Sequence, residues 1–592
     1  MNILGVNAGF ARPLEATPTG HRHTLSDGSA ALLIDGRIVF AGIEERHTRK
    51  RYAGGFGDVV HAFWESESGS DLEKIDVVAL STCCGPKWIE EPQVKEEIQS
   101  SLPPGIWSDN HVHQARLVVV DHHESHASLG FALSGCDRAL VAVIDGYGNL
   151  LDDSGWSPAE WWRGFFQRHS YYVAQRANGG FSLSRIDSDA EGRDDVGLGE
   201  AYRALTHFCG WNSYQQAGST MALAAFGDPD QFRNVPFIWI EGGHIRCGLP
   251  NDHVRSEEAI ATLLRRHGHA VSPMRHRTAT PEDPDHCSVV CALQNQLTEA
   301  ICTRLLQLAE EQRTHTIVVS GGVAMNCLAM GELQRRFDGK VFVPPAPSDT
   351  GQGLGNAVWA SSCIASPCFT PSGAQFDPPQ APFWGVPGNE ISHAIKRIAT
   401  HHGLAVVEGH SEQDQYRIAA QALAEGRLVA ISMGRSEYGP RALGRRSVLA
   451  DPRDPQSPLR VNQFKRREAY RPFAPAILLE NVKDYFEWQV ESPFMSFAVK
   501  SRPGARERIP AVIHADGTAR IQTVAKDSHS PLRPILEYFH LLTGVPLLIN
   551  TSFNRKGEPM VETPAEAAAA FIHSQLDLLL LDGVTIQRTE QP

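Results

Sequence analysis

The sequence predicts an α/β protein with more than one domain, and three observations carry that prediction. Short apolar runs of strand length alternate along the chain with longer segments whose apolar residues recur every three or four positions. Two strand-like runs near the N-terminus are joined by Asp35-Gly36, a dipeptide typical of β-hairpins. The chain has 592 residues, 42% of them hydrophobic, which is enough for two to four domains with their own cores.

Composition excludes several classes of protein. No run approaches the ~18–20 apolar residues needed to cross a bilayer, and the N-terminal residues predict a strand rather than a signal peptide. The 11 cysteines follow no disulfide or C-x-x-C spacing, which favours reduced thiols in a cytoplasmic protein. The net charge of −13 argues against a nucleic-acid backbone as the main partner. We therefore expect a cytoplasmic enzyme with neither a membrane nor a nucleic-acid partner.

The first 120 residues predict a ribonuclease-H-like lobe. Strands are expected over residues 2–7, 30–34, 37–42, 75–80 and 117–120, of which the second and third form the hairpin. A strand, a hairpin and then helices is the order in which such a lobe begins. The charged run 44–51 is expected to be a solvated helix end, and residues 10–26 are expected to be a loop.

A histidine pair and an aspartate follow the fifth predicted strand. His122 and His126 lie four positions apart, so a helix would place both imidazoles on one face within reach of one metal ion. The apolar run 139–144 predicts a buried strand ending at Asp145, where α/β proteins place metal and phosphate ligands. A lone His-x-x-x-His pair is more often a surface or capping pair, so the aspartate is what favours a metal site.

Two further strands are predicted to end in glycine-rich turns. Residues 151–190 are expected to be an aromatic loop, whose rings either pack or wall an acceptor pocket, and helices are expected over 198–209, 218–224 and 289–312. The strands 316–320 and 340–343 then lead into G-G-V-A-M-N and P-P-A-P-S-D-T-G-Q-G. Such junctions are typical of a nucleotide cleft, although neither matches a Walker loop or a dinucleotide fingerprint.

The second half of the chain begins after a proline-rich boundary at residues 361–390. A helix is expected over 413–425 and strands over 428–433 and 545–549. Arginines cluster there in turns with glycine and proline, in G-R-S-E-Y-G-P-R-A-L-G-R-R-S from Gly434 and in K-R-R-E from Lys465. A solvated basic face would explain the charge but not its placement in turns at strand ends. We therefore predict an anion pocket, because guanidinium forks suit phosphate oxygens.

Together these motifs resemble the NodU/CmcH family of O-carbamoyltransferases, which act in antibiotic and nodulation-factor biosynthesis. The resemblance in the N-terminal part rests on E-E-R, H-H-E-S-H-A, V-I-D-G, S-G-G-V-A-M-N-C and P-S-D-T-G. In the C-terminal part it rests on G-P-R-A-L-G-R-R-S, K-R-R-E-A-Y-R-P-F-A-P, H-A-D-G-T-A-R-I-Q-T-V and N-T-S-F-N-R-K-G-E-P. The motifs are long and in order.

The resemblance implies two domains and a reaction. Residues 1–385 would be similar to a threonylcarbamoyl-transferase domain, with two lobes of the actin, sugar-kinase and heat-shock-ATPase superfamily. Residues 386–592 would form a YrdC-like domain that makes carbamoyl adenylate from carbamoyl phosphate and ATP with Mg²⁺. The carbamoyl group would then pass to a hydroxyl of a small secondary metabolite at the metal site, in a protein that forms a homodimer.

The resemblance also assigns residues. A divalent iron, with zinc or manganese as substitutes, would be held by His122, His126, Asp145 and Asp349. The C-terminal anion site would comprise Arg441, Arg445, Lys465, Arg467, Arg471, Arg520, Asn550, Ser552 and Asn554. The catalytic residues would be Arg441, Lys465, Asp27 and Arg51, and the N-terminal nucleotide contacts would be Gly321, Gly322 and Asn326.

The chain departs from the family pattern at three positions, all of which the resemblance connects with the transfer step. Many members have His-Asp where this chain has Ser26-Asp27, and His21 or His23 could substitute for the missing histidine. The lysine common in a G-K-x-M-x-L-A segment is here Ser219, and the basic residue after T-R-K is Arg51 rather than lysine.

Three other functions stay open from the sequence. A threonylcarbamoyl-type tRNA-modifying enzyme is disfavoured by the net charge of −13. A nucleotide-switched binding module of the actin or heat-shock type would need neither the histidine pair nor the arginine clusters. A carbamoyltransferase that acts on an amine rather than a hydroxyl has the same motifs.

Overall fold

The structure, a computed structural model, describes residues 1–7, 27–66, 74–81, 115–146, 148–149, 166–177, 180–190, 195–250, 256–363, 382–386 and 392–588. The chain divides into two compact units. The first unit comprises Met1–Val39, Ala53–Val60 and Glu73–Pro378, and the second comprises Phe40–Tyr52, His61–Leu72 and Pro379–Pro592. The predicted loop 10–26, which includes His21, His23 and Ser26, the aromatic stretch 151–165 and most of the proline-rich boundary lie outside the described residues.

The strands of the first unit are β1 (Asn2–Asn7), β2 (Ser29–Ile34), β3 (Arg37–Ile43), β4 (Val77–Ser81), β5 (Arg116–Val120), β6 (Arg138–Ile144), β7 (His169–Ala177), β8 (Gly180–Asp189), β9 (Ile238–Glu241), β10 (His244–Cys247), β11 (Thr316–Ser320) and β12 (Lys340–Phe342). Strand β3 runs on into the second unit. The other strands of the second unit are β13 (Leu404–Glu408), β14 (Val429–Ser432), β15 (Arg446–Ala450), β16 (Ala474–Leu478), β17 (Phe497–Lys500), β18 (Thr518–Val524), β19 (Leu547–Ser552), β20 (Leu578–Leu581) and β21 (Val584–Arg588).

The helices are α1 (Glu44–Thr48), α2 (Gly57–Trp64), α3 (His122–Ser134), α4 (Leu198–Phe208), α5 (Ala217–Leu223), α6 (Ser256–Arg266), α7 (Pro284–Glu311), α8 (Cys327–Arg336), α9 (Gln352–Cys363), α10 (His393–His401), α11 (Glu412–Ala424), α12 (Ser457–Lys465), α13 (Val482–Tyr485), α14 (Ala505–Arg508), α15 (Leu532–Thr543) and α16 (Pro564–Ile572). The predicted hairpin is confirmed, because β2 and β3 flank the turn at Asp35-Gly36.

The first unit contains two sheets with the same topology. One has the order β3-β2-β1-β4-β5 and the other the order β12-β11-β6-β7-β8. In the first sheet, β1 pairs antiparallel with β2 and parallel with β4, and β4 pairs parallel with β5. In the second sheet, β6 pairs antiparallel with β7 and parallel with β11, and β11 pairs parallel with β12. This is the ribonuclease-H-like order, present twice, and it confirms the predicted two-lobed actin, sugar-kinase and heat-shock-ATPase class.

Two helices cross between these lobes. Helix α3 follows β5 of the first sheet but packs on β6 and β11 of the second, while α9 follows β12 and packs on β1, β2 and β4. The two helices also pack against each other. Gly5 permits the close approach of α9 to β1, because a Cβ at Gly5 would lie 2.0 Å from the Gly353 carbonyl oxygen. The crossing brings together the helix N-termini and the strand end that carry the predicted metal ligands.

The structure corrects two predictions about local structure. Residues 169–177 and 180–189 form the strands β7 and β8 rather than a loop, since β7 pairs along its length with β6 and buries Tyr171 and Tyr172. Polar residues within these strands hide the alternation that would have identified them. The charged run 44–51 is not simply solvated, because Glu44, Glu45 and Arg46 are buried in α1 within the second unit.

The second unit is built on a mixed sheet, which confirms the predicted α/β class. Its strand order is β13-β21-β20-β14-β15-β19-β16-β18-β17. Parallel pairs occur between β14 and β20 and between β16 and β18, while β19 runs antiparallel to both of its neighbours, β15 and β16. Helices α11 and α15 pack against each other. No helix in the described part of the chain combines the length and apolar content needed to span a membrane.

Candidate functional site

The four predicted metal ligands lie together in the first unit. His122 and His126 occupy the first two turns of α3, Asp145 follows β6, and Asp349 lies just before α9. His122 Nε2 lies 3.1 Å from Asp145 Oδ2 and 3.4 Å from Asp349 Oδ1. His126 Nε2 lies 3.5 Å and 3.3 Å from the same two oxygens. All four ligand atoms are within 4.8 Å of one another.

These separations fit a common metal ion. Ligand atoms held at about 2.1 Å from one ion lie roughly 3.0–3.4 Å apart at neighbouring positions of an octahedron or tetrahedron. Nδ1 of the buried His126 lacks a hydrogen-bond partner among the described residues, and its Nε2 faces the two carboxylate oxygens, as a metal ligand would. Two imidazoles with two carboxylates suit divalent iron, zinc or manganese.

The N-terminus of the histidine helix is fixed by Asp121. Asp121 Oδ1 accepts hydrogen bonds from the amides of His123 at 2.9 Å and Glu124 at 3.0 Å, which caps the helix. Its other oxygen accepts from Asn149 Nδ2 at 2.8 Å and Gln167 Nε2 at 2.9 Å. The cap therefore sets the start of α3, and with it the positions of both histidines.

Neighbouring groups hold the carboxylate of Asp145 and the backbone of Asp349. The Gly322 amide donates to Asp145 Oδ1 at 2.9 Å, which leaves Oδ2 to face the histidines. Burial would raise the pKa of Asp145, but hydrogen bonds and charge from His122 and His126 outweigh burial and hold this pKa well below its ordinary value. Asn7 Nδ2 donates to the backbone carbonyl of Asp349 at 3.0 Å.

A buried polar network supports the same site from behind. Gln352 Nε2 donates to the carbonyl of His122 at 3.1 Å, and Gln352 Oε1 accepts from Ser81 Oγ at 2.8 Å. Asn356 Nδ2 donates to Ser81 Oγ at 2.9 Å and to the Val6 carbonyl at 2.8 Å. The network ties α9 to the ends of β1 and β4 and to the first histidine.

The predicted nucleotide contacts in the first unit have other partners. Gly321 has a φ of 86°, a backbone conformation that favours glycine, and the Gly322 amide is bonded to Asp145. Asn326 Oδ1 accepts from the Ala329 amide at 3.1 Å and so caps α8. Asn326 and Gln294 exchange hydrogen bonds of 3.0 and 3.2 Å between their side-chain amides. The assignment of these residues to a nucleotide stays a prediction.

Asp27 and Arg51, predicted to be catalytic, lie in different units. Asp27 has a φ of 73°, and its carbonyl accepts from Asn7 Nδ2 at 3.1 Å. Arg51 pairs with Glu45, and its guanidinium lies 4.4 Å from the centre of the Tyr52 ring. Arg51 belongs to the second unit, where its charge acts on Lys465.

The predicted anion site of the second unit has Lys465 at its centre. Lys465 is 5% exposed, and its Nζ donates to Ser552 Oγ at 2.8 Å, to the Ser552 carbonyl at 2.6 Å and to Asn554 Oδ1 at 2.7 Å. Asn550 donates to the Ala442 carbonyl at 3.0 Å, while its Oδ1 is buried without a partner among the described residues. Strand β19 thus supplies Asn550 and Ser552, and Asn554 follows just after its end.

Several arginines stand close to this lysine and to one another. Burial, together with the charges of Arg467, Arg471 and Arg51, holds the pKa of Lys465 well below its ordinary value. Burial and the charges of Arg471 and Arg520 likewise lower the pKa of Arg467. The Arg467 guanidinium lies 4.1 Å from the centre of the Phe473 ring and donates to Asn462 Oδ1 at 2.7 Å.

The remaining predicted arginines lie on the loop before β15. Arg441 is partly buried there. Arg445 donates to the His529 carbonyl at 3.1 Å, and its guanidinium lies 4.8 Å from the centre of the Phe383 ring. The loop rests on Glu437, a fully buried residue whose Oε1 accepts from the amide of Leu443 at 2.6 Å. Glu437 was not among the predicted site residues, and its one signal in the sequence is a carboxylate within a basic motif.

Comparison with known proteins identifies the class of protein. The chain matches the model of the carbamoyltransferase N-terminus over residues 87–358 and that of the carbamoyltransferase C-terminus over residues 420–588. Nodulation protein NolNO of Sinorhizobium fredii is 30% identical over 616 residues, which cover 100% of this chain and 83% of the relative. Nodulation protein NolO of Bradyrhizobium diazoefficiens is 31% identical over 480 residues, 79% of each chain. The chain belongs to the carbamoyltransferase family and is a carbamoyltransferase enzyme.

Solved structures are similar to the chain only at low identity. Component A of (R)-2-hydroxyglutaryl-CoA dehydratase from Acidaminococcus fermentans is 13% identical, covers 62% of this chain and 100% of its own, and has a TM-score of 0.31. Full-length HypF in its phosphate- and nucleotide-bound form is 12% identical, covers 62% of this chain and 56% of its own, and also has a TM-score of 0.31. Because these identities and TM-scores are so low, the assignment of the fold class rests on the sheet order alone.

Proposed function

We propose that this carbamoyltransferase uses ATP and carbamoyl phosphate to form carbamoyl adenylate in its second unit, and then transfers the carbamoyl group to a hydroxyl of a small secondary metabolite. The observation that carries the proposal is the cluster of buried like charges around Lys465. Burial and repulsion from neighbouring cations disfavour the charged forms of Lys465, Arg467 and Arg471. A ligand with several phosphate charges would relieve that repulsion, and ATP and carbamoyl phosphate are such ligands.

In the first step carbamoyl phosphate loses inorganic phosphate to water and leaves carbamate. A carbamate oxygen bonds to the α-phosphorus of ATP, the bond to the β-phosphate oxygen breaks, and pyrophosphate leaves. Lys465, Arg441 and the neighbouring arginines would hold the phosphate oxygens and offset charge that develops at the α-phosphorus. Enclosure of carbamoyl adenylate would protect it from hydrolysis.

In the second step the acceptor hydroxyl attacks the carbamoyl carbon and AMP leaves. His122, His126, Asp145 and Asp349 would hold a divalent ion such as iron, with zinc or manganese as substitutes. Such an ion supplies Lewis-acid polarisation when bound. Asp27 would take the proton of the attacking hydroxyl as general base. An acceptor amine would attack the carbamoyl carbon in the same way. The bond formed in the product, carbon–oxygen or carbon–nitrogen, distinguishes a hydroxyl acceptor from an amine acceptor.

The test is release of pyrophosphate from ATP that depends on carbamoyl phosphate, with the purified, metal-loaded protein. We expect release by the wild type, and a loss of roughly 100-fold or more for Arg467→Ala, because a buried donor to the reacting phosphates is removed. The matched control is Arg417→Ala, an exposed arginine of α11 whose guanidinium lies 3.6 Å from Asp414, and it should release pyrophosphate at the wild-type rate.

A folded, metal-loaded wild type that releases no pyrophosphate, with or without acceptor extracts, would reject the two-step scheme. Loss of release in Arg417→Ala to the same extent as in Arg467→Ala would reject the assignment of the phosphate site to the buried cluster.

A further inference from the structure

We propose that Arg46 is a positioning residue for residues 437–446, here called the arginine loop, in the carbamoyl-adenylate site. The arginine loop carries Arg441 and Arg445, so this inference rests on the proposed function. Arg46 lies hundreds of residues earlier in the chain, in the segment Phe40–Tyr52 that belongs to the second unit. The second unit is therefore completed by a short piece of N-terminal sequence.

The contacts of Arg46 go directly to the backbone of the arginine loop. Arg46 is 3% exposed. Its Nη1 donates to the carbonyl of Glu437 at 2.6 Å and its Nη2 to the carbonyl of Gly439 at 2.7 Å. Nη1 also lies 3.6 Å from Glu562 Oε2, which supplies the countercharge. One guanidinium thus bridges two carbonyls at the start of the loop.

The side chain of Glu437, the first residue of the arginine loop, binds backbone amides in the rest of the loop. Glu437 Oε1 accepts from the amides of Leu443 at 2.6 Å, Arg445 at 3.2 Å and Arg446 at 3.3 Å. Gly444, with a φ of 120°, permits the turn, and a Cβ there would lie 2.5 Å from Ser530 Oγ. The loop is held at one end by Arg46 and internally by Glu437, which leaves little freedom for the arginines between them.

Arginine is required for this bridge on physical grounds. Its planar guanidinium presents several N–H donors in a fixed fork, whereas the ammonium of lysine is a point charge on a flexible stem. A lysine at position 46 could keep the pairing with Glu562 but would not hold both carbonyls in one geometry. Displacement of a catalytic group by about 1 Å can cost roughly 100-fold in rate.

Arg49 provides a matched control from the same segment. Its Nη1 donates to the Met560 carbonyl at 2.6 Å, its Nη2 donates to the Pro559 carbonyl at 3.2 Å, and Nη1 lies 3.1 Å from Glu566. These contacts anchor Phe40–Tyr52 to residues 559–566 rather than to the arginine loop. Loss of Arg49 should therefore weaken the attachment to residues 559–566, while Arg46 keeps its two hydrogen bonds to the arginine loop.

The experiment compares Arg46→Lys, the double variant Arg46→Met/Glu562→Gln and Arg49→Met with the wild type. The double variant replaces both partners of the buried pair by neutral side chains of similar shape, so that neither partner is left as an unpaired charge, and the buried Arg446 keeps Glu437 as a countercharge. Two quantities are measured: kcat and KM for carbamoyl-phosphate-dependent release of pyrophosphate, and hydrogen exchange of the backbone amides over residues 437–446.

Both Arg46 variants should show kcat/KM lowered by about 100-fold, with KM for carbamoyl phosphate raised. Exchange of the Leu443, Arg445 and Arg446 amides should rise at least about tenfold, since their acceptor Glu437 is no longer held. Arg49→Met should stay within about threefold of the wild type in kcat/KM. Unchanged kinetics and exchange in the folded double variant would overturn the role of Arg46. Absence of pyrophosphate release by the wild type would instead overturn the proposed function, and the exchange rates alone would then decide on Arg46.

Discussion

Asn7 Nδ2 donates a hydrogen bond of 3.0 Å to the backbone carbonyl of Asp349, and so joins the end of β1 to a predicted metal ligand. The same amide donates to the carbonyl of Asp27 at 3.1 Å. One buried side chain thus fixes the backbone of the residue proposed to hold the metal and of the residue proposed to take a proton. The two residues are far apart in the sequence. Asp349 approaches Asn7 because α9 crosses onto the first sheet, and Asp27 approaches it because β2 pairs with β1 at Ser29 and Asn7.

We predict that Asn7→Ala weakens metal binding by about 10–100-fold, the usual effect of removing a group that orients a ligand. The alanine leaves the carbonyls of Asp349 and Asp27 without this donor and frees the Asp349 backbone to move. Metal affinity measured by competition with a chelator tests this. Asn2→Ala is the control, because Asn2 lies on the same strand and its side chain donates to the Lys74 carbonyl at an exposed position. Equal affinities for the wild type and Asn7→Ala would show that Asp349 needs no such support.

The histidine pair predicts a separation of the two half-reactions. His126→Ala should bind less than one tenth of the wild-type metal and lose carbamoyl transfer to acceptor, because a buried ligand is removed. Release of pyrophosphate should continue, since that step belongs to the second unit. Metal content by elemental analysis and the two rates are measured together. The exposed His267→Ala should match the wild type in all three. Normal metal content in His126→Ala would refute the ligand assignment.

The lowered pKa of Lys465 predicts that the free energy of unfolding increases with pH. Its folded-state pKa lies well below the ordinary value of 10.5, because of burial and neighbouring arginines. Between these two pKa values the unfolded chain binds more protons than the folded protein, so the free energy of unfolding rises with pH there, by about 1.4 kcal/mol per pH unit. Lys465→Met should remove this slope in urea unfolding, whereas the exposed Lys500→Met should keep it. A slope unchanged in Lys465→Met would contradict the lowered pKa.

Glu437 predicts a stability effect at the arginine loop. Glu437→Ala should lower the free energy of unfolding by about 1.5–3 kcal/mol, because three amides lose a charged acceptor in a buried site. Chemical unfolding of the second unit measures the change. Glu425→Ala is the control, since Glu425 is exposed and accepts only from Gln421, and its effect should stay within about 0.5 kcal/mol. If Glu437→Ala lowered the free energy of unfolding by no more than the control does, the arginine loop would not depend on the Glu437 carboxylate for its stability.

The sequence was sufficient where the signal is local. Strand β6 and the hairpin of β2 and β3 follow from apolar runs and turn chemistry, and their observed bounds agree with the predicted ones to within a few residues. His122 and His126 share a face because of helical geometry alone. The strands β7 and β8 were missed because their polar residues break the alternation, and only pairing with β6 makes them strands.

Tertiary structure decided the contacts that depend on distant partners. Nothing in the charged run 44–51 indicates that Arg46 is buried against the Glu437 and Gly439 carbonyls, because a charge pattern on one helix is the same whether water or another segment covers it. Nor does the motif around Asn326 reveal that its side chain caps α8 and pairs with Gln294. The sequence by itself determined the fold class, the family and the histidine pair, since these lie in local patterns and ordered motifs. The tertiary structure decided which unit a segment belongs to and which carbonyl a buried side chain contacts. Both depend on how helices cross and strands pair, and the free energy of that packing comes from contacts between residues far apart in the chain.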